Sequence, residues 1–124
     1  MPCAVLIVDD SAIIRRTLRY FLEHTTACRV CGEAGDGKEA IEQARRLHPD
    51  LVLLDLSMPK MNGFEAARAL KRENPELQVL MFTSFKAPGL EKQAIEAGCT
   101  AVVSKTEPQE RLVENIERLV TLRK

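Results

Sequence analysis

Asp9 and Asp10 stand side by side in the stretch LIVDDSA, directly after the apolar run Ala4–Val8, and Asp55 closes a second apolar run in LVLLDLSMP. Carboxylates that end two buried runs repel one another and lose hydration if folding brings them together. At about 4 Å each like-charged pair costs on the order of 4 kcal/mol at an effective dielectric of 20, enough to displace a pKa unless a cation compensates. Nearby ligands are all oxygens, so the cation that suits them is a hard one, Mg²⁺ or Mn²⁺, which retains waters that a phosphate oxygen can replace. If Asp9 and Asp10 merely capped a following helix together with Ser11, Asp55 would have no reason to be there. Two further apolar runs end on Thr83 with Ser84 and on Lys105. They add a hydroxyl donor and an ammonium point charge, so the set is that of phosphoryl transfer onto a carboxylate.

For these side chains to meet, the chain must deliver them from one edge of a sheet. Short apolar runs fit for buried parallel strands occur at Ala4–Val8, Val30–Ala34, Leu51–Leu54, Gln78–Phe82 and Ala101–Ser104. Between and after them, apolar residues recur at helical spacing, as in Ile14, Leu18, Phe21 and Leu22, or Leu112, Ile116, Leu119 and Val120. Asp36 with Glu39, Asn62 with Glu65 and Thr106 with Gln109 have the spacing of capping boxes, and Gly98 suits a helix end. Strict alternation predicts a doubly wound α/β domain with a five-stranded parallel sheet in the order 2-1-3-4-5 and helices on both faces. In such sheets ligands bind beyond the carboxyl ends of the strands where the winding reverses, between strands one and three. Asp9, Asp10 and Asp55 would meet there, on strands about 4.8 Å apart.

The 124 residues suit one domain, 1–124. Lys plus Arg and Asp plus Glu number 18 each, which leaves no basic field for nucleic acid or an anionic membrane. Apolar runs of about five residues are far short of a membrane helix, and a cytoplasmic location is expected. Cys3, Cys28, Cys31 and Cys99 are too scattered for a disulfide scaffold; Cys28 and Cys31, three apart in an extended segment, should face opposite ways and pack as apolar groups. His24 and His48 are expected at the surface.

VDD at residues 8–10, DLSMPKMNG at 55–63, TS at 83–84, EAG at 96–98 and Lys105 together resemble, over essentially the whole chain, the receiver domains of two-component response regulators. The resemblance implies that Asp55 accepts a phosphoryl group from a phosphohistidine on a sensor histidine kinase or phosphotransfer protein. It implies that Asp10, Asp55 and the backbone carbonyl of Ser57 bind Mg²⁺ directly, that Asp9 helps through water, and that Thr83 and Lys105 read the phosphoryl group. It further implies that the face built from the last strand and last two helices, with Leu90 and Arg111, meets an output domain or a second receiver. The domain would then be no enzyme beyond its own phosphorylation and dephosphorylation.

Some positions depart from the commonest pattern. Val102 replaces a ring that swings inward in many relatives, and Thr106 replaces a proline, so a trans Lys105–Thr106 bond is expected. Phe85 would shield the acyl phosphate from water. Arg15, Arg16 and Arg19 form either part of a kinase-docking surface or a solvated basic face. Val102 and Thr106 keep open the alternative of an adaptor that binds partners without phosphorylation. A flavin carrier would need a phosphate-friendly loop where Asp9 and Asp10 stand.

Overall fold

A computed structural model describes residues 3–84 and 87–122, with side chains up to residue 120. Strands and helices alternate as β1 (Ala4–Val8), α1 (Ala12–Thr25), β2 (Arg29–Ala34), α2 (Gly37–Leu47), β3 (Leu51–Leu54), α3 (Gly63–Glu73), β4 (Gln78–Thr83), α4 (Leu90–Glu96), β5 (Ala101–Ser104) and α5 (Gln109–Leu122). All strand pairs are parallel, in the order β2-β1-β3-β4-β5. This is the doubly wound fold that the alternation of runs predicts.

Because successive strand residues point to opposite faces, each central strand feeds two cores. Leu6, Val8, Val52, Leu54, Val79 and Met81 pack with α2, α3 and α4, through Ala40, Ala66, Ala67, Leu70 and Ala94. Val5, Ile7, Leu51, Leu53 and Leu80 pack with α1 and α5, through Leu18, Leu22, Leu112, Ile116 and Leu119. Both faces of the strands are therefore apolar, which is why these runs read as continuous rather than alternating. Each fully buried Leu or Ile contributes about 1.5–3 kcal/mol, and this rigid layer is what can hold charged groups at its edge.

Helix starts are set locally. Ser11 Oγ accepts from Ile14 N–H and Asp36 Oδ1 from Glu39 N–H, while Asn62 and Glu65 form a reciprocal capping box at 3.0 Å in each direction. The expected box at Thr106 does not form. Helix α5 starts at Gln109, immediately after Pro108, whose fixed φ suits a helix entrance, and the Thr106 hydroxyl bonds Ser104 Oγ instead. Gly98, at φ +104°, follows α4 in the left-handed conformation expected of a terminating glycine. Every peptide bond between described residues is trans, Lys105–Thr106 included.

Candidate functional site

The sheet itself positions the acidic residues. Asp9 N–H donates to Ala34 O and Asp55 N–H to Val8 O, both at 3.0 Å, so each aspartate is the residue at which its strand leaves the ladder. One carboxylate oxygen from each of Asp9, Asp10 and Asp55 lies within 4.8 Å of the others. Asp9 and Asp55 are buried, at 2% and 6% exposure, and Asp10 is exposed at the mouth of the cleft. The β5 end brings Lys105 over the pair, with Nζ 2.6 Å from Asp9 Oδ2 and 3.6 Å from Asp55 Oδ1. Lys105 N–H donates to Thr83 O at 2.9 Å, which ties the β4 and β5 ends together, and the buried Thr83 hydroxyl donates to Asp55.

Electrostatics single out Asp55. Burial pushes its carboxyl above the ordinary value; the Lys105 charge opposes this, the Asp9 charge reinforces it, and hydrogen bonds from Thr83 and the Ser57 backbone N–H oppose it. Burial and the neighbouring carboxylate outweigh the rest, as expected for a buried acid pair that lacks full cationic compensation. Asp9 has both oxygens engaged, since Oδ1 accepts from Ser11 N–H at 2.9 Å and Oδ2 from Lys105. Of the three carboxylates, Asp10 is the one exposed to solvent.

The donor set fits a small hard dication. Three carboxylates that each offer an oxygen within 4.8 Å of the others supply hard oxygen ligands of the kind that Mg²⁺ takes from a few carboxylates while keeping several waters. Among the described residues the group consists of carboxylates alone, with no nitrogen or sulfur ligand in it.

The loop after β3 wraps the cleft. Met61 N–H donates to Pro59 O at 2.7 Å around Lys60, whose φ is +70°, making a tight three-residue turn. Gly63 N–H donates to Leu56 O at 2.8 Å, and a Cβ at Gly63 would lie 2.6 Å from Asp55 O. Only a residue without a side chain lets α3 start this close to the Asp55 backbone. Ser57 is exposed on this loop.

Residues 5–117 match the response regulator receiver domain family. The chain belongs to that family. The receiver is 42% identical over 107 residues to a protein-glutamate methylesterase/protein-glutamine glutaminase of Idiomarina loihiensis, a match covering 85% of this chain and 28% of the relative. It is 36% identical over 118 residues to the response regulator protein VraR of Staphylococcus aureus, covering 95% of this chain and 56% of the relative. A crystal structure of a two-component response regulator of the LuxR family from Aurantimonas sp. SI85-9A1 superposes with a TM-score of 0.93 at 30% identity, covering 98% of this chain and 86% of that one. The receiver thus spans between about a quarter and about half of the length of these curated relatives.

The residues singled out by sequence therefore assemble: Asp9, Asp10, Asp55, Thr83 and Lys105 share one cleft and Ser57 borders it. Arg15 was legible only as part of a basic helix face. In the receiver its Nη1 donates to the Asp9 backbone carbonyl at 2.6 Å and its Nε pairs with Glu33 Oε1 at 3.1 Å, while Arg19 Nε takes Glu33 Oε2 at 2.8 Å. Burial pushes the Glu33 carboxyl up, but bonds from Arg19 and Arg15 outweigh it and hold it below its ordinary value. Arg16 alone of the three keeps an exposed position without such a partner among the described residues. Val102 is half-buried against the α2–α4 core. His24 and His48 are exposed, the first stacked on Tyr20 and the second closing α2 at φ +51°. Phe85 lies outside the described residues.

Proposed function

We propose that this receiver takes up a phosphoryl group on Asp55 from a phosphohistidine of a sensor histidine kinase or phosphotransfer protein, in a Mg²⁺-dependent reaction that Mn²⁺ also supports. The observation that carries the reading is the convergence of three carboxylates, Lys105 and the Thr83 hydroxyl on one strand-end cleft. Asp55 is the nucleophile, and its carboxylate oxygen attacks phosphorus in line with the departing imidazole. Asp10, Asp55 and the Ser57 carbonyl would hold the metal, which neutralises the phosphoryl oxygens as the carboxylate approaches. Asp9, with both oxygens already engaged, acts through water. Lys105 and Thr83 bind phosphoryl oxygens as point charge and hydrogen-bond donor.

Residues 1–124 act as one signalling domain of cytoplasmic location that catalyses only its own phosphorylation and dephosphorylation. Phosphorylation switches contacts with an output domain or a second receiver across α4, β5 and α5, where Leu90 and Arg111 stand; the domain itself makes no contact with nucleic acid or membrane. No helix among the described residues is long and apolar enough to cross a membrane. The test is incubation with acetyl phosphate with and without Mg²⁺, followed by intact mass. A metal-dependent gain of one phosphoryl group, lost in Asp55→Asn, is expected. No gain in the unsubstituted protein would overturn the proposal and leave a phosphorylation-independent adaptor.

A further inference from the structure

At the end of the sheet opposite the acidic cleft, two cysteines from distant parts of the sequence come together. Ala4 pairs with Arg29, and Arg29 N–H donates to Cys3 O at 2.7 Å, so one step back Cys3 and Cys28 lie side by side just before β1 and β2. Both side chains belong to the core on the α1 and α5 face, and the two thiols are hydrogen-bonded. Cys31, beside which the β1–β2 register shifts, packs against the opposite core, so the CRVC spacing visible in the sequence does not make the pair. Neighbouring strands are about 4.8 Å apart, inside the roughly 4.4–6.8 Å between Cα atoms that a disulfide spans. Both residues immediately precede their strands, with Cys3 O accepting from Arg29 N–H and Cys28 N–H donating to Thr26 Oγ1 at 3.1 Å.

Cys28 itself is 7% exposed. A cavity of about 320 Å³ opens onto it, lined by Thr26, Ala27, Cys28, Glu117 and Val120. The geometry points to Cys3 and Cys28 as an oxidant-responsive thiol pair, in which Cys28 reduces a peroxide entering this cavity and Cys3 resolves the product to a disulfide. The Cys28 thiolate attacks one peroxide oxygen, the O–O bond breaks, and hydroxide leaves as water, giving a sulfenic acid. The Cys3 sulfur then attacks the Cys28 sulfur and expels the second water, so two thiols lose two electrons and one peroxide becomes two waters. A hydrogen bond from Cys3 lowers the Cys28 pKa, burial raises it, Thr26 lowers it, and the Asp50 and Glu117 charges raise it; the net direction is down. Cys99, buried on the other face, is pushed up to about 11 by burial. A lowered thiol pKa at an accessible site is what selects one cysteine over another for oxidation.

The test uses the intact protein treated with hydrogen peroxide, alkylated and digested. A Cys3–Cys28 linked peptide reversed by a dithiol reductant is expected, with loss of the Cys28 thiol about tenfold or more faster than of Cys99. In Cys3→Ser the reaction should stop at a Cys28 sulfenic acid that dimedone traps. Should the substituted chain not fold, iodoacetamide labelling of the unsubstituted protein across pH decides: Cys28 should react with a midpoint below the ordinary value of about 8.5. Absence of the linked peptide, linkage through Cys31 or Cys99 at equal rate, or an ordinary Cys28 midpoint overturns the inference.

Discussion

Lys105 Nζ sits 2.6 Å from Asp9 Oδ2, closer than the 3.6 Å that separates it from Asp55 Oδ1. The ammonium thus compensates the acid pair from the Asp9 side and competes with any dication for the same negative charge. A unit charge about 4 Å away is worth about 1 kcal/mol even at the dielectric of water. Lys105→Met is therefore expected to tighten Mg²⁺ binding by about fivefold or more while slowing phosphorylation of Asp55. Calorimetric titration with Mg²⁺ checks the first part; unchanged or weaker binding would contradict it.

Asp55 makes folding pH-dependent with a definite sign. Its folded pKa is raised, chiefly by burial, so between the ordinary value of 3.8 and the folded value the native state binds more protons than the unfolded state. Stability from this group falls as pH rises through that window, and the full cost is present above the folded pKa. In EDTA at pH 7, Asp55→Asn is expected to unfold at higher urea than the unsubstituted protein. The difference should shrink as pH is lowered toward 4 and also when Mg²⁺ is added. Urea midpoints for the two proteins measure this, and subtraction removes the opposite contribution from Glu33.

Arg15 and Arg19 share the Glu33 carboxylate, but only Arg15 also donates to the Asp9 carbonyl, at 2.6 Å. If Arg15 acted through charge, its removal would tighten metal binding. Because Glu33 already neutralises it, positioning of the Asp9–Asp10 turn is the larger effect. Arg15→Ala is expected to weaken Mg²⁺ binding by about tenfold, Arg15→Lys to recover part of this, and Arg19→Ala to leave it unchanged. Metal titrations of the three variants decide between charge and position.

The sheet was legible because its strands are uninterrupted apolar runs: Ala4–Val8, Leu51–Leu54 and Ala101–Ser104 coincide with β1, β3 and β5. The cleft was legible for the same reason, since Asp9, Asp55, Thr83 and Lys105 each mark a point where such a run stops. What depends on register or on side-chain reach could not be read. Cys3 meets Cys28 only because Ala4 pairs with Arg29, a register that sequence spacing does not reveal. Arg15 spacing places it on a helix face without revealing that the face turns toward Glu33 and Asp9. At Thr106 a local pattern lost to Pro108, which sets the helix entrance two residues later.

Two glycines separate crowding from backbone strain. At Gly63 a Cβ would lie 2.6 Å from Asp55 O and 2.7 Å from Leu56 Cα, both backbone atoms that cannot rotate aside. At Gly89, with φ +80°, a Cβ meets nothing within 4 Å, so only the left-handed conformation is at stake. Gly89→Ala is therefore expected to cost about 1–2 kcal/mol. Gly63→Ala gains up to about 1 kcal/mol of helix propensity but must push α3 away from the Asp55 backbone, at a cost of about 1–3 kcal/mol or more. Crowding wins because the neighbours belong to the sheet edge, and the displaced loop carries Ser57. Urea unfolding should show net destabilisation by Gly63→Ala, accompanied by weaker Mg²⁺ binding that Gly89→Ala does not share. A Gly63→Ala protein of equal stability and equal metal affinity would mean that the loop has slack the present geometry does not reveal.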